Sequence, residues 1–260
     1  MKSKFDNAAA NYDSTFTNSV IGKTQRGFVY HQVSKFLKNN QVKNILEINC
    51  GTGEDAIWLA KQNFEVVATD ISEKMISIAQ SKAKLDNLTF ERLNINEIGQ
   101  SFANKNFDLI FSNFGGLNCL SKEEIKLFFE NASNLISKNG HLILIIMPKN
   151  TLWEQFYFLA KAKFSLAFRR KKESAIANVD GEKIVTFYHN PNEIGTLASN
   201  NFTLKKVNPI GFFVPPSYLE SFFSTKPKVI SFLAKLDNSV KNISFLAKYA
   251  DHYLIVFQRK

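Results

Sequence analysis

The stretch Asn44–Gly53 limits what this chain can fold into more than any other. A short apolar run, Asn44–Ile48, ends in Asn49-Cys50-Gly51-Thr52-Gly53, and a helical pattern from Asp55 to Lys61 follows at once. Glycines let a backbone turn tightly and approach a ligand closely. The next strand-like run, Glu65–Thr69, is closed by Asp70. That acid falls about twenty residues after the loop, where a carboxylate can take hydrogen bonds from ribose hydroxyls. A Gly-rich loop alone says little. The loop, the acid after the next strand and the βαβ setting together predict a nucleotide-like ligand.

The alternation continues. Ser72–Leu85 reads as a helix capped by Ser72, Leu88–Leu93 as a third strand and Phe107–Phe111 as a fourth. Lys122–Ile136 reads as a helix and Gly140–Met147 as a fifth strand. Strands alternating with helices predict a doubly wound α/β fold, a mostly parallel sheet with helices on both faces. After Met147 the rhythm breaks. Leu152–Phe168 reads as one aromatic, nearly apolar helix followed by Arg169-Arg170-Lys171-Lys172, and Asp180-Gly181 is a hairpin signal between Ala175–Val179 and Glu182–Tyr188. Asn192–Ser199 reads as a helix, Phe202–Asn208 as a sixth strand and His252–Gln258 as the last. More than fifty residues separate the fifth and sixth strands, too many for one crossover helix. The expected division is a core with N-terminal lid helices over 1–150, an inserted cap over 151–201, and the end of the sheet with substrate-side elements over 202–260.

The 260 residues carry a net charge of +10, unevenly spread. Residues 1–150 hold 17 Lys and Arg against 15 Asp and Glu, whereas residues 151–260 hold 16 against 8. The longest aliphatic stretch, Leu142 to Met147, is far too short to span a bilayer. The polar start, Met1 to Asp13, lacks the apolar core of a secretory signal. Two cysteines, Cys50 and Cys119, make neither a disulfide framework nor a Cys-rich zinc site. These features predict a cytoplasmic protein with no metal.

The loop also discriminates among nucleotides. No Gly-Lys-Ser/Thr is present, and Gly51-Thr52-Gly53 is followed by Glu54, Asp55 and Ala56 rather than by a third glycine. Two acids at a helix N-terminus repel a pyrophosphate but suit a cationic ligand. S-adenosylmethionine carries a sulfonium and an ammonium and no phosphate. At this point ILEINCGTGEDAIWLA, Ile45–Ala60, with VVATDIS, Val66–Ser72, resembles the first two motifs of class I S-adenosylmethionine-dependent methyltransferases. FDLIFSNFGGLN (Phe107–Asn118), LISKNGHLILIIMP (Leu135–Pro148) and the opening FDNAAANYD (Phe5–Asp13) are similar to the fourth strand, fifth strand and start of small-molecule members. The match covers roughly 5–150. It departs where Asn49 replaces a glycine and where Asn94 stands for an Asp. Asn tolerates the left-handed region, and it keeps an acceptor oxygen for an adenine amino group.

The resemblance implies a seven-stranded Rossmann-like sheet with an antiparallel last strand, and S-adenosylmethionine as cofactor. By position, Glu47, Asn49 and the backbone of Gly51 and Gly53 would hold the methionine moiety, and Asp70 the ribose. Ile71 and Met75 would pack the adenine, with core packing as the competing role. Asn94 and Ile95 would read its edge, and Ser112 or Asn113 would close the site. Tyr12 and Arg26 would close over a carboxylate. His252 opens the antiparallel strand and His189 follows the hairpin, so these two are the candidate bases. Cys119 reads as a small buried hydrophobe.

The expected activity is methylation of a small lipophilic or aromatic acceptor on O, N or C. The alternatives are an RNA or protein methyltransferase and a non-catalytic protein retaining the cofactor fold. Ser112-Asn113-Phe114-Gly115 lacks the Asn/Asp-Pro-Pro-aromatic motif of base amino-methyltransferases, which argues against a nucleic-acid acceptor. The aromatic and basic segment 152–172 suggests a lid that also meets a membrane surface or an acidic carrier protein, against the simpler reading of solvated cations.

Overall fold

In the computed structural model, which describes residues 3–103, 105–179 and 181–260, the apolar runs become nine strands. They are β1 (Asn44–Ile48), β2 (Glu65–Asp70), β3 (Leu88–Arg92), β4 (Phe107–Ser112), β5 (Ile136–Ile146), β6 (Ala175–Val179), β7 (Glu182–Thr186), β8 (Phe202–Ile210) and β9 (His252–Arg259). Seven form one sheet in the order β3-β2-β1-β4-β5-β9-β8, and β9 runs antiparallel to both of its neighbours. The strand order reverses between β1 and β4, which places a crevice at their carboxyl ends. β6 and β7 pair only with each other. Of the hairpin turn, Gly181 is described, with φ 86°, and Asp180 lies outside the described residues.

The period of two in β5 and β9 divides the interior. Leu142, Leu144, Ile146, Tyr253, Ile255 and Phe257 face the helix Lys122–Leu135, whose Phe128 and Phe129 fill that side. Ile143, Ile145, Leu254 and Val256 face the opposite way, with Val29 and Val33 from the helix Val20–Asn39 and Ile57 from the helix Glu54–Ala60. Both faces are dry, as a sheet covered on both sides requires.

The segment between β5 and β8 differs from the expected cap in two ways. Its last helix, Pro191–Ala198, sends Ile194 and Ala198 into the main core and so belongs to the sheet layer. The aromatic stretch is not one helix either. It breaks into Leu152–Ala160 and Phe164–Ala167 around Ala162, whose φ is 53°.

The four cations that follow are not uniformly solvated. Arg170 is buried: its Nε donates to Glu154 Oε2 at 2.9 Å, its Nη1 to Thr151 Oγ1 at 2.8 Å, and its Nη2 lies 3.3 Å from Asp251 Oδ1. Arg169 holds the other side of Glu154, with Nε at 2.7 Å from Oε1. The structure thus corrects the expectation of a four-cation cluster free to meet headgroups. Arg169 and Arg170 both hold Glu154 of the helix Leu152–Ala160, and Arg170 also ties it to Asp251 at the start of β9. Burial alone would raise the Asp251 carboxyl, but His252 and Arg170 pull it down to about 2. Asp251 therefore contributes stability above its ordinary value of 3.8, lost as pH falls through about 2. Replacing Arg170 with Met leaves buried carboxylates underpaired, and urea denaturation is expected to show a loss of about 3 kcal/mol, with acid unfolding moved to higher pH.

Candidate active site

The turn after β1 runs through three left-handed residues, Asn49 (φ 57°), Gly51 (φ 53°) and Gly53 (φ 79°). Asn49 thus takes the conformation that its replacement of a glycine required. Gly53 has a second constraint. A Cβ there would lie 2.8 Å from Ala79 Cβ and from the Phe90 ring, so the helix Glu54–Ala60 could not pack. The Asp70 carboxylate fixes the turn, with Oδ2 accepting from Gly51 N at 2.9 Å and Oδ1 from Ser72 N at 2.8 Å. Burial raises its pKa against these hydrogen bonds.

Around this turn the structure gathers Tyr12, Arg26, Asn49, Gly51 and Asn113 into one cleft, together with Thr17, Thr52, Asp55 and Phe114. Asp55, at the helix N-terminus, is fully engaged. Its Oδ1 accepts from Arg26 Nη1 at 2.6 Å and from the Tyr30 hydroxyl at 2.8 Å, and its Oδ2 from Asn113 Nδ2 at 3.0 Å. Burial opposes the Arg26 charge, but Asp55 and the neighbouring tyrosines outweigh it and hold the guanidinium charged. Arg26 is therefore an internal partner of Asp55, and Glu54 is left as the acid on the cleft rim.

The N-terminal segment closes over the cleft. Asp13 Oδ1 accepts from Thr52 Oγ1 at 2.6 Å, Asp13 pairs with Lys82 at 2.6 Å, and Asp6 accepts from Ser72 Oγ at 2.6 Å. Burial pushes the Tyr12 phenol up to about 12. The enclosed space is about 30 Å³. Nucleoside-sized ligands occupy pockets of roughly 300 Å³ or more, so the cleft is narrow for one with the Tyr12 segment in this position.

Whether these residues suit S-adenosylmethionine is answered by unsatisfied polar atoms. Buried polar groups normally have partners. Among the described residues, nine buried side-chain atoms have none. Four are Gln25 Oε1, Asn96 Oδ1, His189 Nδ1 and His252 Nδ1. The other five, Thr17 Oγ1, Arg26 Nε, Glu47 Oε2, Asn49 Nδ2 and Ser112 Oγ, belong to this cleft or to the ends of β1 and β4 beneath it. They offer donors and acceptors suited to a ligand with both an ammonium and a carboxylate, and the residues fit. Glu47 faces the side of the sheet that Ile45 faces, under the N-terminal helix, and is 1% exposed. Its carboxyl is raised well above the usual range, first by burial and then by Asp55.

Other expected residues fall differently. Ile71 is exposed beside Asp70, whereas Met75 is buried, which fits its core role. Ile95 packs into the core with Ile98 and Leu117, so its side chain does not read a base edge. Asn94 Oδ1 caps the following turn by accepting from Asn96 N at 3.1 Å, with one lone pair left. His189 is buried behind the crevice, with Nε2 3.4 Å from Leu120 O and its carbonyl accepting from the Tyr253 hydroxyl at 2.8 Å. Burial lowers its pKa. His252 sits at the mouth of β9, with Nδ1 3.2 Å from Asp251 Oδ2, though turned off the direction of a good hydrogen bond. Its ring packs edge-on against Phe114 at 5.2 Å. Cys119 is half-buried, and burial pushes its thiol up to about 11.

Two residues escaped sequence reasoning. Tyr30 stacks on Trp58 at 3.8 Å and reaches Asp55 from the helix Val20–Asn39. Asn118 clamps β5 to the hairpin, accepting from Met147 N and donating to Met147 O and Phe187 O. Neither pairing has a local signal, since each joins residues more than twenty positions apart.

The buried Glu47 supplies a test. Because its carboxyl is raised in the folded chain, its contribution is fully present below the ordinary value of 4.5 and is lost as pH rises through the raised value. Glu47→Gln is expected to stabilise the ligand-free protein at neutral pH by about 1–3 kcal/mol, while weakening S-adenosylhomocysteine binding in calorimetry. A variant less stable than the parent would remove the carboxylate from this role.

Residues 45–140 match the family described as a methyltransferase domain. A protein of Geobacillus sp. strain WCH70 named as a methyltransferase is 34% identical over 121 residues, covering 45% of this chain and 47% of that protein. The chain thus spans about half the length of that curated relative. The CcbJ methyltransferase of Streptomyces caelestis superposes with TM-score 0.65 at 13% identity, covering 99% of this chain and 98% of that one. Magnesium protoporphyrin IX methyltransferase from Synechocystis, solved with bound SAH, superposes with TM-score 0.58 at 16% identity, covering 93% of this chain and 86% of that one. At such identities these structures speak for the fold alone. Residues 45–140 thus carry a methyltransferase domain, and the strand order and the cleft's unsatisfied polar atoms fit the fold and cofactor of a class I S-adenosylmethionine-dependent methyltransferase.

Proposed function

We propose that the protein methylates a small lipophilic or aromatic acceptor held between the cofactor cleft and the cap. The observation that carries this reading is the position of Phe114. In a left-handed turn after β4 (φ 42°), its ring touches Phe16 of the N-terminal segment at 5.4 Å and His252 at 5.2 Å. The cofactor side and the acceptor side meet there, across an aromatic ring and with no polar base-reading motif. Magnesium protoporphyrin IX methyltransferase, which shares this fold, is consistent with an acceptor of this class.

When bound, S-adenosylmethionine supplies an electrophilic methyl group. The chain's task is to orient the acceptor, exclude water and, for a hydroxyl acceptor, take its proton. His252 suits that task better than His189, because its ring lies against Phe114 with the Asp251 carboxylate 3.2 Å from Nδ1, whereas His189 Nε2 lies against the Leu120 carbonyl. The Tyr12 segment and cap exclude water once closed. The runner-up acceptors, RNA and protein, call for a polar approach to Phe114, and a protein without turnover would bind the cofactor only.

The test is release of S-adenosylhomocysteine with a panel of lipophilic phenols and quinols beside RNA and peptide acceptors. Turnover confined to the lipophilic panel is expected, and turnover on RNA or peptide alone would overturn the reading. His252→Gln is expected to lower kcat by about 100-fold or more, with cofactor affinity unchanged. His189→Gln is expected to leave kcat nearly unchanged.

A further inference from the structure

Two segments meet at the end of the sheet where the crevice lies. Residues 152–168 follow β5 and residues 217–240 follow β8. Trp153 packs against Phe223 at 6.0 Å and Tyr157 against Tyr218 at 5.7 Å, over a buried cluster that includes Val214, Leu219 and Ile230. These contacts join the two segments into one surface, on which Phe156 (65% exposed), Phe164 (65%), Phe222 (58%) and Phe232 (60%) are exposed. Isolated exposed apolar residues are ordinary, but four phenylalanines on adjoining helices are a patch that needs a partner.

Charge on this face is sorted by direction. Every acid within 152–172 and 217–240 is turned to internal work. Glu154 is held by Arg169 and Arg170, Glu220 accepts from Val20 N and Ile21 N, and Asp237 accepts from Phe212 N, Phe213 N and Val214 N. The lysines point out: Lys161, Lys163, Lys171, Lys172, Lys228 and Lys235 are all exposed. Of these, Lys161 and Lys171 lean on the Tyr157 and Phe168 rings, and Lys226 Nζ lies 3.0 Å from the Phe222 centroid. Glu173, just beyond the segment, is the nearest exposed acid in sequence. The result is an apolar surface studded with cations.

We propose that this face docks the protein on an anionic lipid surface, with the phenylalanines entering the boundary between headgroups and acyl chains and the lysines on lipid phosphates. A deformable apolar layer accepts four rings standing on four separate helices, whereas a folded protein would need a matching pocket for each. A second copy would bring like charges together. Because the face crowns the crevice, a lipophilic acceptor would reach the cap directly from the lipid.

The experiment is flotation of the full chain with phosphatidylcholine vesicles with and without phosphatidylglycerol. Three variants are compared: Phe156, Phe164, Phe222 and Phe232 changed to Ser; Lys161, Lys163, Lys228 and Lys235 changed to Gln; and Lys35, Lys38, Lys43 and Lys84, away from the face, changed to Gln. Melting and S-adenosylhomocysteine binding confirm that each is folded. Binding only to the anionic vesicles is expected, weakened at least about tenfold in both face variants and by added salt, and nearly unchanged in the third. Absence of flotation, or equal loss in the third variant, would overturn the proposal. So would binding of polyglutamate without vesicles, which points to an acidic protein, or a dimer abolished by the Phe variant without flotation, which points to a second copy.

Discussion

The Asp70 carboxylate accepts the Gly51 amide on one oxygen and the Ser72 amide on the other, and in doing so joins the end of β1 to the end of β2. The turn that precedes the helix Glu54–Ala60 can then hold three left-handed residues in five positions. That helix start positions Asp55, Asp55 holds Arg26, and Arg26 fixes the N-terminal helix against the sheet. A substitution at Asp70 therefore disturbs the loop, the helix and the lid before it disturbs any ligand contact.

Two charge clusters share the work of organising the molecule. Glu47, Arg26 and Asp55 lie beneath the cofactor cleft, while Glu154, Arg170 and Asp251 tie the helix Leu152–Ala160 to β9. The first leaves polar atoms unsatisfied and is a place to receive a ligand. The second is closed by hydrogen bonds at Glu154, Arg170 and Thr151, and it acts as an anchor. Buried charges of both kinds need partners; in the first cluster Glu47 Oε2 and Arg26 Nε lack one, whereas Glu154 and Asp251 both pair with Arg170.

The fold was largely legible because its signals are local. The strands β1 to β5 each show as an apolar run ended by a turn residue, and the Gly51-Thr52-Gly53 loop with Asp70 marks the crevice. The cleft residues Tyr12, Arg26, Asn49, Gly51 and Asn113 were expected and do meet. The misreadings arise where long-range partners decide. Nothing beside Arg169-Arg170 in sequence announces Glu154 and Asp251, so a buried anchor reads as a solvated basic run. Ile95 and His189 carry side chains that could serve either core or site, and the helix Lys122–Leu135 and Tyr253 claim them. The break at Ala162 has no glycine or proline to signal it.

The central claim is that the crevice is built for a cationic, phosphate-free nucleoside. Calorimetric titration with S-adenosylhomocysteine and, separately, with NAD tests it most directly. The account predicts saturable 1:1 binding of S-adenosylhomocysteine, with little response to NAD. Tight NAD binding together with no response to S-adenosylhomocysteine would contradict it.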